Sequence, residues 1–416
     1  MANRKSNLSQ AYVGLDIGNS KVACVIGVKE ESMPVPSIIG VGITPNPGMR
    51  KGQVVDIEDT VHAISVAIDE AERISGYAID SATVGVGGVN ILSLNSKGVI
   101  AVGGIDKEIT IEDVHRVEEA ATVVQLPPNR EILQVFPRSY RLDGQDNIKD
   151  PVGMSGVRLE VDAHIITGST PALKNIERCL NQTGILANQF VVNVVAASGV
   201  VLDKRQRESG TAVIDIGSST TGLAVYEEGE ILHTAVIPVG SAHITNDLAI
   251  GLKTDLDTAE HVKRTKTQIG ESKKSSATHL VTEKDSSTER SFKQKDIDHI
   301  AEARLIELFN LVNAELKKVG RAGKLPGGVV IVGGGANLEG IEIIARSVLA
   351  LNAKISKPTD FSGIIEAAGS PELCTAVGLM LEDMHMTSGS TPKWNLDRSI
   401  SKGTSFVRSL IERFKP

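Results

Sequence analysis

One short phrase occurs twice in this chain. Asp16-Ile17-Gly18-Asn19-Ser20 and Asp215-Ile216-Gly217-Ser218-Ser219 each lie between two apolar runs, in "AYVGLDIGNSKVACVIGV" (11–28) and "TAVIDIGSSTTGLAVYEEGEIL" (211–232). Each reads as strand, tight turn, strand. A unit repeated a domain's length apart implies two similar lobes. The residue types also carry chemistry. Glycine lets backbone N–H groups approach a phosphate chain closely, and Asn, Ser and Thr add donors. A carboxylate at a strand end can hold Mg²⁺ through its water shell. Two such turns facing one another would close around a nucleotide's phosphates. The first would use Gly18, Asn19, Ser20 and Lys21, and the second Gly217, Ser218, Ser219 and Thr220; Gly240 is a further cofactor-binding candidate. Asp16 and Asp215 would lie on the Mg²⁺ side. A third glycine turn, "VVIVGGGANLEG", follows another strand. It lacks the last glycine of a dinucleotide fingerprint and comes late in the chain. Gly333, Gly334, Gly335 and Asn337 therefore suit an adenosine pocket at a strand–helix turn.

The remaining pattern is α/β, with β-rich runs alternating with helical ones. Helices are expected at 60–76, with Gly76 as the stop, and at 110–124, with a Thr cap and Asp113 three residues on. Further helices are expected at 171–183, 241–251, 257–269, 296–319 and 371–384. Strands are expected across 81–102, 131–144 and 157–169, and 189–208 reads as a strand passing into a helix. The polar stretch 271–291 reads as a surface hairpin or loop. Aromatics are 3% of residues, so the cores must rest on Val, Ile, Leu and Ala. Cys24, Cys179 and Cys374 are scattered in apolar stretches, as buried thiols in a reducing compartment would be. The N-terminal stretch shows no apolar signal-peptide core, and no run reaches the length of a spanning helix. A net charge of −7 argues against a general nucleic-acid binder.

The last segment departs from that acidic average. From Arg398 to Pro416 there are five basic residues and one acidic. On a helix, Phe406, Val407, Leu410, Ile411 and Phe414 fall in an arc of about 140°, while Arg408, Arg413 and Lys415 lie on the polar side. Such a segment can dock on its own domain or lie in a membrane interface. The Ser/Thr/Pro linker before it and the local positive charge favour an anchor on anionic lipid.

The three glycine turns together resemble the actin, Hsp70 and sugar-kinase superfamily. Gly14–Lys21 resembles its first phosphate loop, Val213–Tyr226 the second and Val329–Gly340 its adenosine motif. The helices at Ala196–Leu202 and Thr375–Leu381 resemble its connecting helices. "AEHVKR" resembles its Glu-x-x-Lys helix, which implies that Glu260 and Lys263 line the adenine and ribose; taken alone, that pair is an exposed i,i+3 ion pair. Within the superfamily, "GQVVDIEDTVHAISVAIDEAE", "GSAHITNDLAIGLKTDLDTAEHVK", "LFNLVNAELKKVG" and "CTAVGLML" resemble the FtsA family of bacterial division proteins.

That resemblance implies an actin-like two-lobed α/β fold with duplicated RNase H-like cores. Residues 11–83, 166–205 and 376–386 would form the first-lobe core, with 84–165 as an inserted subdomain replacing actin's usual one. Residues 206–244 and 322–375 would form the second-lobe core, and 245–321 its subdomain. Residues 1–10 would be a flexible start, 387–402 a linker and 403–416 a membrane-targeting amphipathic helix. The implied function is ATP- and Mg²⁺-dependent polymerisation on the inner membrane face. The protein would be peripheral, anchor FtsZ filaments at the division site and recruit later divisome proteins. The FtsZ C-terminal peptide would meet Arg304, Glu307 and Asn310. One position departs from hydrolysing relatives. The strand–helix junction that aligns the attacking water offers only Asn193, so ATP hydrolysis is expected to be slow or absent. Two alternatives stay open: a PilM-type pilus scaffold and, on the same fold, a small-molecule kinase.

Overall fold

The computed structural model describes residues 10–29, 33, 35–103, 106–270, 277–282 and 289–388. The first repeated unit is β1 (Ala11–Ile17) and β2 (Lys21–Val28), and the chain continues into β3 (Ser37–Pro45). β3 is an addition to the predicted pattern. Its glycines blur the alternation that marks a strand, and the packing requires them. A Cβ at Gly40 would meet the Ala71 carbonyl at 2.5 Å, and one at Gly42 the Ala67 carbonyl at 1.9 Å. Both carbonyls belong to α1 (Ile57–Ser75), which lies directly on this strand. A small hairpin, β4 (Met49–Arg50) and β5 (Gln53–Val54), joins β3 to α1. Asp56 caps α1 by accepting from the Asp59 N–H at 3.0 Å, and Gly76 ends it in the left-handed region as expected.

After β6 (Ser81–Val86) comes an inserted unit of β7 (Leu92–Ala101), α2 (Ile111–Thr122), β8 (Arg130–Leu142), β9 (Gln145–Ile148) and β10 (Arg158–Ser169). The Thr110–Asp113 capping box opens α2. The insert has its own sheet, in the order β7-β10-β8-β9, and its own core around Val117, Leu159 and Val161. The chain returns through α3 (Thr170–Thr183), β11 (Leu186–Val192), α4 (Asn193–Val201) and α5 (Lys204–Ser209). The helix expected to run to 208 is broken here, because Asp203 caps a new helix with Gln206. The second repeated unit is β12 (Thr211–Ile216) and β13 (Thr221–Glu227), followed by β14 (Glu230–Ile237). Then come α6 (Ser241–Leu252), α7 (Leu256–Lys266), the hairpin β15 (Thr278–Thr282) and β16 (Glu289–Lys293), and α8 (Gln294–Lys318). β17 (Val329–Val332) leads through a 3-10 turn to α9 (Ile341–Leu349) and β18 (Ala353–Ile355). β19 (Ser362–Gly363), α10 (Ile365–Ala368) and α11 (Cys374–Ser388) complete the described chain. α11 extends through Ser388, two residues into the span expected as a linker.

The sequence repeat is a repeat of topology. The first sheet runs β11-β6-β1-β2-β3-β19 and the second β14-β13-β12-β17-β18. In each, the central strand pairs antiparallel with the next and parallel with a later one: β1 with β2 and β6, and β12 with β13 and β17. Two helices join the sheets. α4 leads from β11 to the second sheet, and α11 returns to pack on β1. They touch backbone to backbone, because a Cβ at Gly378 would lie 2.1 Å from the Ala196 carbonyl. Asp383 pins the far part of α11 to the first sheet. It accepts from the Val13 N–H at 2.9 Å, Thr83 Oγ1 at 2.9 Å and Asn188 Nδ2 at 2.8 Å. The three cysteines are buried free thiols, as expected.

Candidate functional site

The two repeated turns have the same geometry. Each has four residues, between the pairs Ile17–Val22 and Ile216–Thr221. Each is closed by one hydrogen bond, from the Gly18 N–H to the Lys21 carbonyl at 2.9 Å and from the Gly217 N–H to the Thr220 carbonyl at 3.0 Å. Lys21 and Thr220 therefore occupy equivalent places. Two of the other carbonyls in each turn are held by the protein. Asn46 donates its N–H to Ser20 and its Nδ2 to Gly18, at 3.0 and 2.9 Å. The start of α6 does the same for the second turn, with the Ser241 N–H on Gly217 at 2.9 Å and the Ala242 N–H on Ser218 at 2.8 Å. Gly240 allows this approach, since a Cβ there would lie 2.5 Å from the Ser218 carbonyl. Among the described residues, the N–H groups of Asn19, Ser20, Ser218 and Ser219 meet no protein acceptor. Donors left open on a glycine turn are what an anionic ligand needs.

Asp16 and Asp215 stand one residue before the ends of β1 and β12, where parallel sheets place their ligand crevices. Burial pushes Asp16 up to about 6, with Lys21 and a hydrogen bond from Asn193 pulling the other way. Asp215 is pushed up to about 7, first by burial and then by the charge of Asp16. The two carboxylates thus repel one another in a poorly solvated place. Asn193 is the first residue of α4, and its Nδ2 lies 3.2 Å from Asp16 Oδ1. It fits because glycines flank the last residue of β6: a Cβ at Gly85 would lie 2.7 Å from Asn193 Oδ1, and one at Gly87 3.2 Å from Asn193 Nδ2.

The third turn converges on the same point. Gly333 has φ 84° and ψ 172°, a conformation essentially restricted to glycine. A Cβ there would lie 2.4 Å from Asp215 Oδ1. Gly334 lies beside Glu372, and Gly335 packs on Ile216. Glu372 Oε2 is 2.9 Å from Lys21 Nζ, an ion-pair distance, although Nζ directs no hydrogen bond at any protein acceptor. Asn193 Oδ1 is likewise buried without a partner. An open ammonium and an open amide oxygen in one polar crevice fit an anionic ligand with bound water or a hydrated cation. Among the described residues no three His, Cys, Asp or Glu side chains cluster to hold a metal. The donor set is therefore two carboxylates, which suits an ion that keeps most of its water.

The structure brings together Asp16, Lys21, Asn193, Asp215 and Gly333, five of the residues named from the sequence. It adds Asn46, Glu372 and Thr375, whose Oγ1 lies 3.5 Å from Asp215 Oδ2. Asn46 and Glu372 carry no local signal, and Thr375 is marked only as part of a helix. Asn337 is exposed in the third turn. Glu260 and Lys263 are a brace rather than an exposed pair. Lys263 is buried, and its Nζ lies 2.5 Å from Glu260 Oε2, 2.9 Å from Thr245 Oγ1 and 3.4 Å from the Ser241 carbonyl. They reach the second turn through the start of α6. Arg304 lies on α8, outside this group. It makes a two-point contact with Asp247, at 2.6 and 2.9 Å, and bonds Glu307 at 2.7 Å. Glu307 and Asn310 are exposed. The tail residues Phe406, Val407, Arg408, Leu410, Ile411, Arg413, Phe414 and Lys415 lie outside the described residues. Among the described residues no helix is long and apolar enough to cross a membrane.

Comparison with known proteins gives a consistent result. A family model described as "SHS2 domain inserted in FTSA" matches residues 88–167, and one described as "Cell division protein FtsA" matches 212–378. The cell division protein FtsA of Bacillus subtilis is 39% identical over 379 residues, covering 90% of this chain and 83% of that protein. That of Escherichia coli K12 is 35% identical over 394 residues, covering 90% and 91%. Among solved structures, a PilM-PilN type IV pilus biogenesis complex is similar at a TM-score of 0.63 and 17% identity, covering 89% of this chain and 98% of that one. MreB5 of Spiroplasma citri bound to ADP is similar at 0.53 and 14%, covering 95% and 98%. These structures show the fold, which is actin-like.

Proposed function

The chain belongs to the FtsA family of cell division proteins, and from that premise we propose that it is an ATP-binding scaffold that polymerises on the inner face of the cytoplasmic membrane, tethers FtsZ filaments there and recruits later division proteins. The observation that carries the nucleotide part is the meeting of two equivalent turns at the Asp16–Asp215 pair. The fold relative MreB5 of Spiroplasma citri has been solved with ADP and with AMPPNP, which supports the same ligand class here. Open N–H groups on both turns would take the phosphates, and Lys21 would add a cation. Asp16 and Asp215 would hold Mg²⁺, which supplies charge neutralisation between phosphate and carboxylates. Asn193 can orient a water on Asp16 but is too weak a base to take its proton. Nucleotide thus serves chiefly to close the lobes, with slow turnover.

The membrane part rests on the tail. If helical, about 13 residues would span roughly 20 Å, too short to cross a bilayer. Five apolar side chains and at most about 1 kcal/mol per basic residue give modest affinity for one copy. Many copies in a filament would hold by avidity. In this reading the FtsZ contact would lie on α8 around Arg304, Glu307 and Asn310; exposure of the last two supports it. The test is co-sedimentation of the purified protein with anionic vesicles and an FtsZ C-terminal peptide, with and without MgATP. Attachment is expected to strengthen with ATP and to be lost in Phe406→Glu and Phe414→Glu. Vesicle binding that survives both changes, or is indifferent to polymerisation, would overturn the anchor reading.

A further inference from the structure

The inserted unit is bonded to both walls of the candidate nucleotide cleft. On the first-lobe side, Asn19 of the first turn accepts the Gly52 N–H at 2.8 Å and so holds the hairpin of β4 and β5. That hairpin reaches the base of the insert. Lys51 accepts the Val89 N–H at 3.3 Å, and Gln53 Nε2 donates to Asn90 Oδ1 at 3.0 Å. Arg130 ties Asn90 to Thr167, which closes the base where β8 begins and β10 ends. A second root lies beside Asn193: the Val192 N–H donates to Gln134 Oε1 of β8 at 3.1 Å.

On the second-lobe side the insert meets β14, the edge strand of the second sheet. Ser93 Oγ donates to the Thr234 carbonyl at 2.7 Å. His164 Nε2 and Thr234 Oγ1 are 2.9 Å apart, and His164 is fixed from behind by Asn95 at 2.7 Å. Lys149 Nζ donates to the Glu228 carbonyl at 3.0 Å. Past Thr234 the chain leads to Val239, whose carbonyl accepts from Thr221 Oγ1 at 2.7 Å, and to Gly240, which backs the second turn.

We infer that the insert reads the state of the cleft: bonded to the first turn through the β4–β5 hairpin and latched to the second lobe at Thr234, it is displaced when a phosphate-bearing ligand draws the turns together. The inference rests on the nucleotide reading above. A rigid body tied to two others cannot keep both sets of bonds when those bodies move, so closure must reorient the insert or strain the latch. Signal transfer needs bonds on both sides, and either side can be cut separately.

The test uses the full chain and hydrogen–deuterium exchange, with MgATP binding measured in parallel by calorimetry. In the wild type, MgATP is expected to change exchange in 92–101 and 230–237 by about fivefold for each hydrogen bond made or lost. The pair Ser93→Ala and Thr234→Val removes the latch with small, nearly isosteric changes. It should shift calorimetric affinity for MgATP by no more than the same factor of about five per bond, since the coupling is reciprocal, and abolish the response of 92–101. Ser93→Ala alone, which removes one hydroxyl, should give an intermediate response and serves if the double variant does not fold. An insert indifferent to MgATP in a wild type that binds it would overturn the inference and leave the nucleotide reading standing. So would a full response in the latch variant. A wild type that binds no MgATP would overturn both.

Discussion

Gly333 offers a sharp test of the convergence of the three turns, with Gly76 as its control. Both have positive φ, 84° and 73°. At Gly76 an added Cβ meets nothing within 4 Å. Gly76→Ala should therefore report backbone strain alone. A left-handed alanine costs about 1–2 kcal/mol, offset by about 0.4–1 kcal/mol from the stiffer unfolded chain. The net is about 1 kcal/mol by the same terms. At Gly333 the backbone conformation is harsher, costing about 1–3 kcal/mol. The Cβ would also lie 2.4 Å from Asp215 Oδ1 and 2.7 Å from the Ile216 carbonyl. The carbonyl cannot step aside, so overpacking adds about 1–3 kcal/mol. With the same unfolded-chain offset of about 0.4–1 kcal/mol, Gly333→Ala should then cost about 1–5.6 kcal/mol in total. The assay is urea unfolding of the nucleotide-free protein, followed by circular dichroism. The second readout is MgATP affinity, expected to fall about tenfold or more because the carboxylate must move. Gly76→Ala should leave affinity unchanged. If Gly333→Ala costs no more than Gly76→Ala, the contact with Asp215 is not as close as described. If it destabilises but binds MgATP normally, Asp215 is not part of the site.

Three further outcomes can be checked with the same unfolding assay. Burial pushes Glu230 up to about 7, against Lys149 and Arg207. A raised folded-state value means the folded chain holds the extra proton, so this group's contribution falls as pH rises from about 4.5 to about 7 and is flat beyond. Glu230→Gln should therefore remove that slope, with a gain of at most about 3 kcal/mol at pH 8 and little at pH 4.5; a gain independent of pH would refute it. Lys263→Met leaves Thr245 and Glu260 without their shared donor and should cost about 1.5–3 kcal/mol, the value of a charged hydrogen bond. No change in urea midpoint would return the pair to a solvated helix face. Gly378→Ala forces α4 and α11 apart at the Ala196 carbonyl, 2.1 Å from the new Cβ, and should cost about 1–3 kcal/mol. A wild-type midpoint would mean the two connecting helices slide freely.

How much of this was legible in the sequence follows from the range of each contact. The two Asp-Ile-Gly turns are local, because a tight turn needs its glycine and its flanking strands in adjacent positions. The caps of α1 and α2 are local for the same reason. Strand order is not. β12 lies beside β17 because the chain folds back after more than a hundred residues, and no periodicity records that. The added site residues are also ordinary where they stand. Thr375 becomes a partner of Asp215 only through a contact 160 residues away in sequence. Gln134 looks like any polar strand residue until the Val192 N–H is found on it. β3 was hidden by Gly40 and Gly42, which serve α1 and not the strand. Lys263 reads as exposed because spacing on one helix cannot show that α6 covers it.

The same repeat that reveals the fold also shows where its symmetry stops. The turns match in length, closure and flanking carboxylate, but the fourth position is Lys21 in one and Thr220 in the other. A symmetric pair of lysines would balance Asp16 and Asp215 without help. Here one ammonium lowers the pKa of both carboxylates, and it is also shared with Glu372. Three carboxylates against one ammonium leave the crevice two charges negative above about pH 7, where Asp16 and Asp215 are both ionised. A bare polyphosphate would be repelled from such a place, however many N–H groups the turns offer. Charge balance therefore predicts that an anionic ligand would bind here together with a divalent cation, as Mg²⁺-nucleotide, rather than bare. The departure from symmetry at Lys21 and Thr220 is then expected to favour the metal-bound form of a nucleotide, and titrating nucleotide affinity against Mg²⁺ concentration tests this directly. Affinity independent of Mg²⁺ would contradict it.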